Sequence, residues 1–172
     1  NSSSVVQSQP NALRFYTYET TDNTMSDQYA ILPAFNEQMY PLNNLMLDFD
    51  ARKYSTSYSA FTLIVGVLTN VSDAASFVPV DTLLITSDSY SAYTVLFNNY
   101  VGTGNIALMA PQITNDYYNS GYIDNLMVSE IPSCIRPQSI AVASSDMNSV
   151  TLQWDVAGTE TAWNIAYGAQ GF

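Results

Sequence analysis

The amino-acid sequence predicts an all-β protein built as a sandwich, on three observations. Runs rich in β-branched and aromatic residues, separated by Gly, Pro, Asn, Asp and Ser, recur along the whole chain. Nowhere does an apolar stripe at i, i+3, i+4, i+7 persist for three turns, so an amphipathic helix would have no face to bury. In Leu45-Met-Leu-Asp-Phe-Asp-Ala-Arg52 the odd positions are apolar and most even ones charged. A period of two places Leu45, Leu47, Phe49 and Ala51 toward a core, and Asp48, Asp50 and Arg52 together on the outer face.

In chain order the expected strands are 13–18, 28–32, 44–52, 62–69, 77–80, 82–86, 92–97, 105–110 and 122–129. Segment 62–69 lacks alternation and reads as a strand covered on both faces, with Gly66 marking a bulge or a close backbone approach. Leu47, Phe49, Val65, Val67, Val95, Ile106 and Leu126 are expected to share one core. Residues 1–12 read as a loose terminal segment and 13–129 as the first domain. Pro132 and Pro137 stiffen a connector over 130–137. Beyond it, 139–143, 150–154 and 162–167 read as three short strands of a second, partial domain over 138–172.

Composition restricts the chemistry. Lys and Arg total 4 against 15 Asp and Glu, a net charge of −11 that repels nucleic acid. Without His there is no Ser-His-Asp or Cys-His arrangement. A single Cys, Cys134, excludes an intramolecular disulfide and any cysteine cluster. Asp48 and Asp50 lie on one strand face rather than across a cleft, which does not suit paired-carboxylate hydrolysis. These exclusions favour a binding protein over an enzyme. No apolar run approaches the roughly 18 residues of a membrane span, so no membrane insertion is expected.

Two stretches resemble known families. Cys134-Ile-Arg-Pro137, Val150-Thr-Leu-Gln-Trp154 and Trp163-Asn-Ile-Ala-Tyr167-Gly resemble the first half of a fibronectin type III domain, in the spelling of secreted Bacteroidota surface proteins. Upstream, Leu47-Asp-Phe-Asp-Ala-Arg52, Val65-Gly-Val-Leu-Thr69, Ser76-Phe-Val-Pro-Val80, Asn99-Tyr-Val-Gly102 and Tyr122-Ile-Asp-Asn-Leu126 resemble, in order, the jelly-roll domain of the MAM-like or cleaved-adhesin group. The resemblance implies a jelly-roll β-sandwich followed by a partial Ig-like sandwich. It also implies carbohydrate or protein binding and a secreted, cell-surface location. A fibronectin-like half has only its first three strands here, so strands of another chain or of downstream sequence are expected to complete 138–172.

Candidate site residues follow from ligand chemistry. Tyrosine offers ring area for a sugar's C–H face and a hydroxyl to bond, which selects the loops Tyr54-Ser-Thr-Ser-Tyr58, Ser87–Tyr93 and Asn115–Tyr122. Tyr90, Asn115, Asp116, Tyr117 and Tyr118 are the expected ligand-binding residues, for a glycan or a surface protein. An acidic chain with no soft ligands beyond Cys134 and Met would favour an oxygen-ligated calcium ion, with Asp48, Asp50 and Asp124 as its expected ligands. The assignment of Asp124 comes from resemblance to related jelly rolls.

Overall fold

A computed structural model describes residues 6–18, 27–112, 118–134, 137–156 and 160–168. The chain divides into two compact units, Asn1–Glu130 and Ile131–Phe172. The strands are β1 (Leu13–Tyr18), β2 (Gln28–Ile31), β3 (Leu45–Lys53), β4 (Phe61–Leu68), β5 (Phe77–Ile85), β6 (Ser91–Leu96), β7 (Asn105–Ala110), β8 (Tyr118–Glu130), β9 (Gln138–Ser145) and β10 (Val150–Asp155). Apart from two 3-10 turns, Leu42–Asn44 and Ala74–Ser76, the described residues form no helix, and none is long and apolar enough to cross a membrane.

The first unit is a sandwich of two four-stranded antiparallel sheets, ordered β1-β8-β3-β6 and β2-β7-β4-β5. This is the order of a jelly roll, in which consecutive strands alternate between the sheets except for the β4–β5 hairpin within one of them. Period-two alternation in β3 buries Leu45, Leu47, Phe49 and Ala51 as expected. They meet Phe61, Leu63, Val65 and Val67 of β4, Val95, and Ile106 and Leu108 of β7. Complete burial of each such side chain contributes roughly 1.5–3 kcal/mol, which makes this interface the main source of the unit's stability.

Three local features depart from strict alternation. In β8 the register steps from Asp50↔Asp124 to Asp48↔Met127, so Asn125 and Leu126 together oppose Phe49. Asn125 takes a left-handed φ of 52°, a conformation that asparagine tolerates well. The bulge switches parity, turning both Ile123 and Val128 toward the core and leaving Leu126 38% exposed. Leu126 is therefore not the core residue that the sequence suggested. In β5 a second bulge faces the Val65–Gly66 step of β4, with Val65↔Asp81 and Gly66↔Pro79. What reads in sequence as two strands, 77–80 and 82–86, is one edge strand with an irregularity, and Pro79 is accommodated because it lies on that edge. Gly66 has no alternative there, since a Cβ would lie 2.3 Å from the Val78 carbonyl oxygen.

A buried polar clasp joins the two sheets. Asn119, 1% exposed on β8, accepts from Thr62 N–H (2.9 Å) and donates to the carbonyls of Thr62 (3.0 Å) and Pro111 (3.0 Å). The β4–β7 ladder reaches only Ile64↔Met109, so the Asn119 amide pairs with Thr62 where β7 no longer does. Two positions on, Gly121 leaves room for the fully buried Phe61 ring, whose Cδ1 would stand 2.1 Å from an added Cβ.

The second unit contains a β9–β10 hairpin. Its turn is closed by Asp146, which accepts from Asn148 N–H, Ser149 N–H and the Ser149 hydroxyl. Trp154 lies edge-on to Trp163 with ring centroids 5.5 Å apart. Residues 162–167, expected as a third strand, form none. A strand is defined by a ladder, and among the described residues none pairs with this segment. The outward side chains of the hairpin, including Ile140 (64%), Val142 (61%) and Val150 (60%), are largely exposed.

Candidate functional site

The outer face of the β1-β8-β3-β6 sheet gathers aromatic and charged groups by register alone. Arg14 of β1 pairs with Tyr122 of β8, which pairs with Arg52 of β3, forming one row across three strands. Tyr16 lies two residues from Arg14 on the same face, and Asp50 pairs with Asp124 in a neighbouring row.

The loop after β3 folds over this row because two cations hold it. Arg52 donates to the carbonyls of Lys53 (3.2 Å) and Tyr54 (2.9 Å), and Lys53 Nζ donates to those of Tyr58 (2.8 Å) and Thr56 (3.4 Å). Tyr54 N–H reaches across to the Ser120 carbonyl at 3.0 Å. The rings are thereby brought together: Tyr54 lies 4.8 Å from Tyr58 and stacks on Tyr122 at 5.9 Å. The Arg14 guanidinium lies 4.7 Å from the Tyr16 ring centre and 4.6 Å from that of Tyr54, and Arg52 lies 5.8 Å from Tyr90 and 5.5 Å from Tyr122. Cation–π contacts of this kind fix both guanidinium planes and rings. The result is a tyrosine platform on an otherwise acidic domain.

Tyr90, named above as a ligand-binding candidate, lies beside Arg52 at the platform, and its phenol is pushed up to about 12, first by burial and then by the Asp124 charge, with Arg52 pulling the other way. Tyr118 opens β8 opposite Tyr18. Asn115, Asp116 and Tyr117 lie outside the described residues. Tyr122 closes the tyrosine-rich segment 115–122 selected from sequence, whereas Arg14 and Tyr16 were not singled out, although alternation in Leu13-Arg-Phe-Tyr-Thr17 already turns both away from buried Phe15.

The expected calcium ligands are neighbours, and protein donors engage each of them. Asp48 accepts from the Thr94 hydroxyl, and Asp50 from the Asn125 amide at 2.6 Å. Asp124 accepts from Gln7 N–H (2.8 Å), Ser8 N–H (2.9 Å), the Ser8 hydroxyl (3.0 Å) and Asn125 N–H (2.8 Å). Burial raises the Asp124 pKa, but hydrogen bonds from Ser8, Asn125 and Gln7 outweigh it and hold the carboxyl below its ordinary value of 3.8. Only 7% of the residue is exposed, yet it lies just beneath solvent rather than deep in the core, so those bonds decide the direction. Gln7 and Ser8, expected in a loose end, are fastened here. Among the described residues no group of three His, Cys, Asp or Glu side chains converges as a metal site would require.

A cleft of about 170 Å³ elsewhere in the unit is lined by Glu37, Leu42, Tyr100 and Gly102 among others. Glu37 accepts from Gly104 N–H at 2.7 Å there. Its volume is below the roughly 300 Å³ of ordinary small-molecule sites.

No protein-family model matches the chain, and no curated protein matches it. Among solved structures, the K3 cleaved adhesin domain of Lys-gingipain from Porphyromonas gingivalis w83 is similar over 68% of this chain and 70% of that one. The two are 16% identical, with a TM-score of 0.50, a likeness of fold. The glycoside hydrolase domain of Endo-D from Streptococcus pneumoniae R6 aligns over 85% of this chain and 23% of that one, at 15% identity and a TM-score of 0.44, too low to carry an argument.

Proposed function

We propose that the chain is a non-catalytic adhesion module of a secreted or cell-surface protein, and that the outer face of the β1-β8-β3-β6 sheet binds a saccharide. The observation that carries this reading is the pair of half-buried rings Tyr54 and Tyr58, tilted against each other, with Tyr54 stacked on the buried Tyr122 and the loop held by Arg52 and Lys53. Preorganised tyrosines present apolar ring faces to a sugar's C–H groups and hydroxyls to its polar rim, at little entropic cost. The adhesin-like fold and the absence of His support binding over catalysis. The test is a glycan array probed with the whole chain and with Tyr54→Ala. Binding by the parent and loss in the variant support the reading, and a blank array refutes it.

A second reading treats the chain as a spacer whose second unit is completed by strands from elsewhere. It is favoured by the exposed Ile140, Val142 and Val150 on the hairpin. Light scattering that finds a monomer from micromolar to millimolar concentration would exclude self-completion between copies.

A further inference from the structure

Three of the chain's four cations, Arg14, Arg52 and Lys53, lie at the tyrosine platform, but they are not equivalent. Arg52 and Lys53 spend their donors on backbone carbonyls of the loop they shape. Arg14 is exposed, its guanidinium carbon lies 4.7 Å from the Tyr16 ring centre, 4.6 Å from that of Tyr54 and 5.8 Å from that of Tyr122, and among the described residues no oxygen accepts its N–H groups. A guanidinium held among rings and not donating to protein oxygens still has its N–H donors to offer, and their fork matches a carboxylate with two parallel hydrogen bonds. Among the described residues no carboxylate pairs with Arg14, although the chain carries 15 Asp and Glu, and Arg14 lies beside an ordered aromatic surface.

We propose that Arg14 binds the carboxylate of a sugar acid whose ring rests on the neighbouring tyrosines. This rests on the saccharide reading above and narrows it to uronic or sialic acid residues. The net charge of −11 sets the upper limit on ligand charge. A polysulfated chain would meet repulsion from the whole domain, whereas a single carboxylate meets Arg14 directly, faces Asp50 and Asp124 in the neighbouring row, and is screened from charges beyond about 8 Å at physiological salt.

The experiment measures binding of the whole chain to trigalacturonic acid, to its methyl ester and to 3′-sialyllactose, beside lactose and a heparin-derived oligosaccharide. Esterification removes the charge while keeping the ring. The expected result is that at least one acid binds about tenfold to a hundredfold more tightly than its neutral counterpart. Arg14→Gln should abolish that preference, Arg14→Lys should restore part of it, and Tyr54→Ala should weaken acid and neutral ligands alike. Circular dichroism verifies that each variant is folded. Equal binding of acid and ester, or equal losses for both in Arg14→Gln, overturns the role of Arg14 and leaves the saccharide reading standing. Preference for the sulfated ligand overturns the carboxylate assignment. Binding to none of the saccharides overturns both, as does Arg14-dependent binding of an acidic peptide in their place.

Discussion

Replacing Asn119 by alanine tests the fold's most specific polar contact. An asparagine side chain carries the same donor–acceptor pair as a peptide group, and Asn119 uses it to pair with both Thr62 N–H and Thr62 C=O, continuing the β4 ladder past the end of β7. Alanine leaves both Thr62 groups without a partner. The Pro111 carbonyl keeps a second donor in the Thr17 hydroxyl at 3.4 Å. Each orphaned buried group costs about 1–3 kcal/mol, and half-buried Thr62 recovers part of that from water, so the expected loss is about 3 kcal/mol. For a unit of this size that lowers the melting temperature by roughly 10 °C. Urea unfolding followed by far-ultraviolet circular dichroism measures it directly. A loss below about 1 kcal/mol would mean that water satisfies Thr62 and that the amide does not serve as a strand extension.

Further outcomes are expected elsewhere. Gly121→Ala drives a methyl group into the Phe61 ring and should destabilise by about 1–3 kcal/mol in the same urea assay, against near-neutrality if the ring can yield. Because the folded-state pKa of Asp124 is depressed, its contribution to stability is present above the ordinary value of 3.8 and is lost as pH falls through the lower folded value. The protection of the Gln7 and Ser8 amides, measured as exchange rate relative to the intrinsic rate at each pH, should therefore fall on acidification below about pH 4, and Asp124→Asn should shift or remove that transition. Calcium at Asp50 and Asp124 would have to displace the Asn125, Gln7 and Ser8 donors, so calcium or chelator should leave the melting temperature unchanged. A rise with calcium would reinstate the ion.

The fold was legible where side-chain period and backbone geometry agree. In β3, alternation alone places Leu47 and Phe49 in the core and Arg52 on the outer face, because a straight strand has one period and no freedom to change it. It was not legible at Leu126, where a bulge centred on left-handed Asn125 resets the parity, or at Pro79, where a bulge on an edge strand looks like a chain break. The third strand expected at 162–167 failed for a different reason, since strand propensity is realised only through a neighbour. The site was legible by composition and obscure by geometry. Tyr90 and the Tyr54–Tyr58 loop stand out as tyrosine-rich turns, but nothing local in the sequence announces that Arg14 will lie over Tyr54. That contact depends on β1 and β3 flanking β8, a long-range register fixed by the packing of both sheets.

Saccharide binding by the tyrosine platform is read out residue by residue by NMR of ring-labelled tyrosine during titration with a saccharide. Resonances of Tyr16, Tyr54, Tyr58 and Tyr122 should shift together and saturate, while Tyr29 and Tyr100, which lie away from the platform, stay still. Shifts confined to Tyr100, or saturating binding that moves no platform tyrosine, would contradict it.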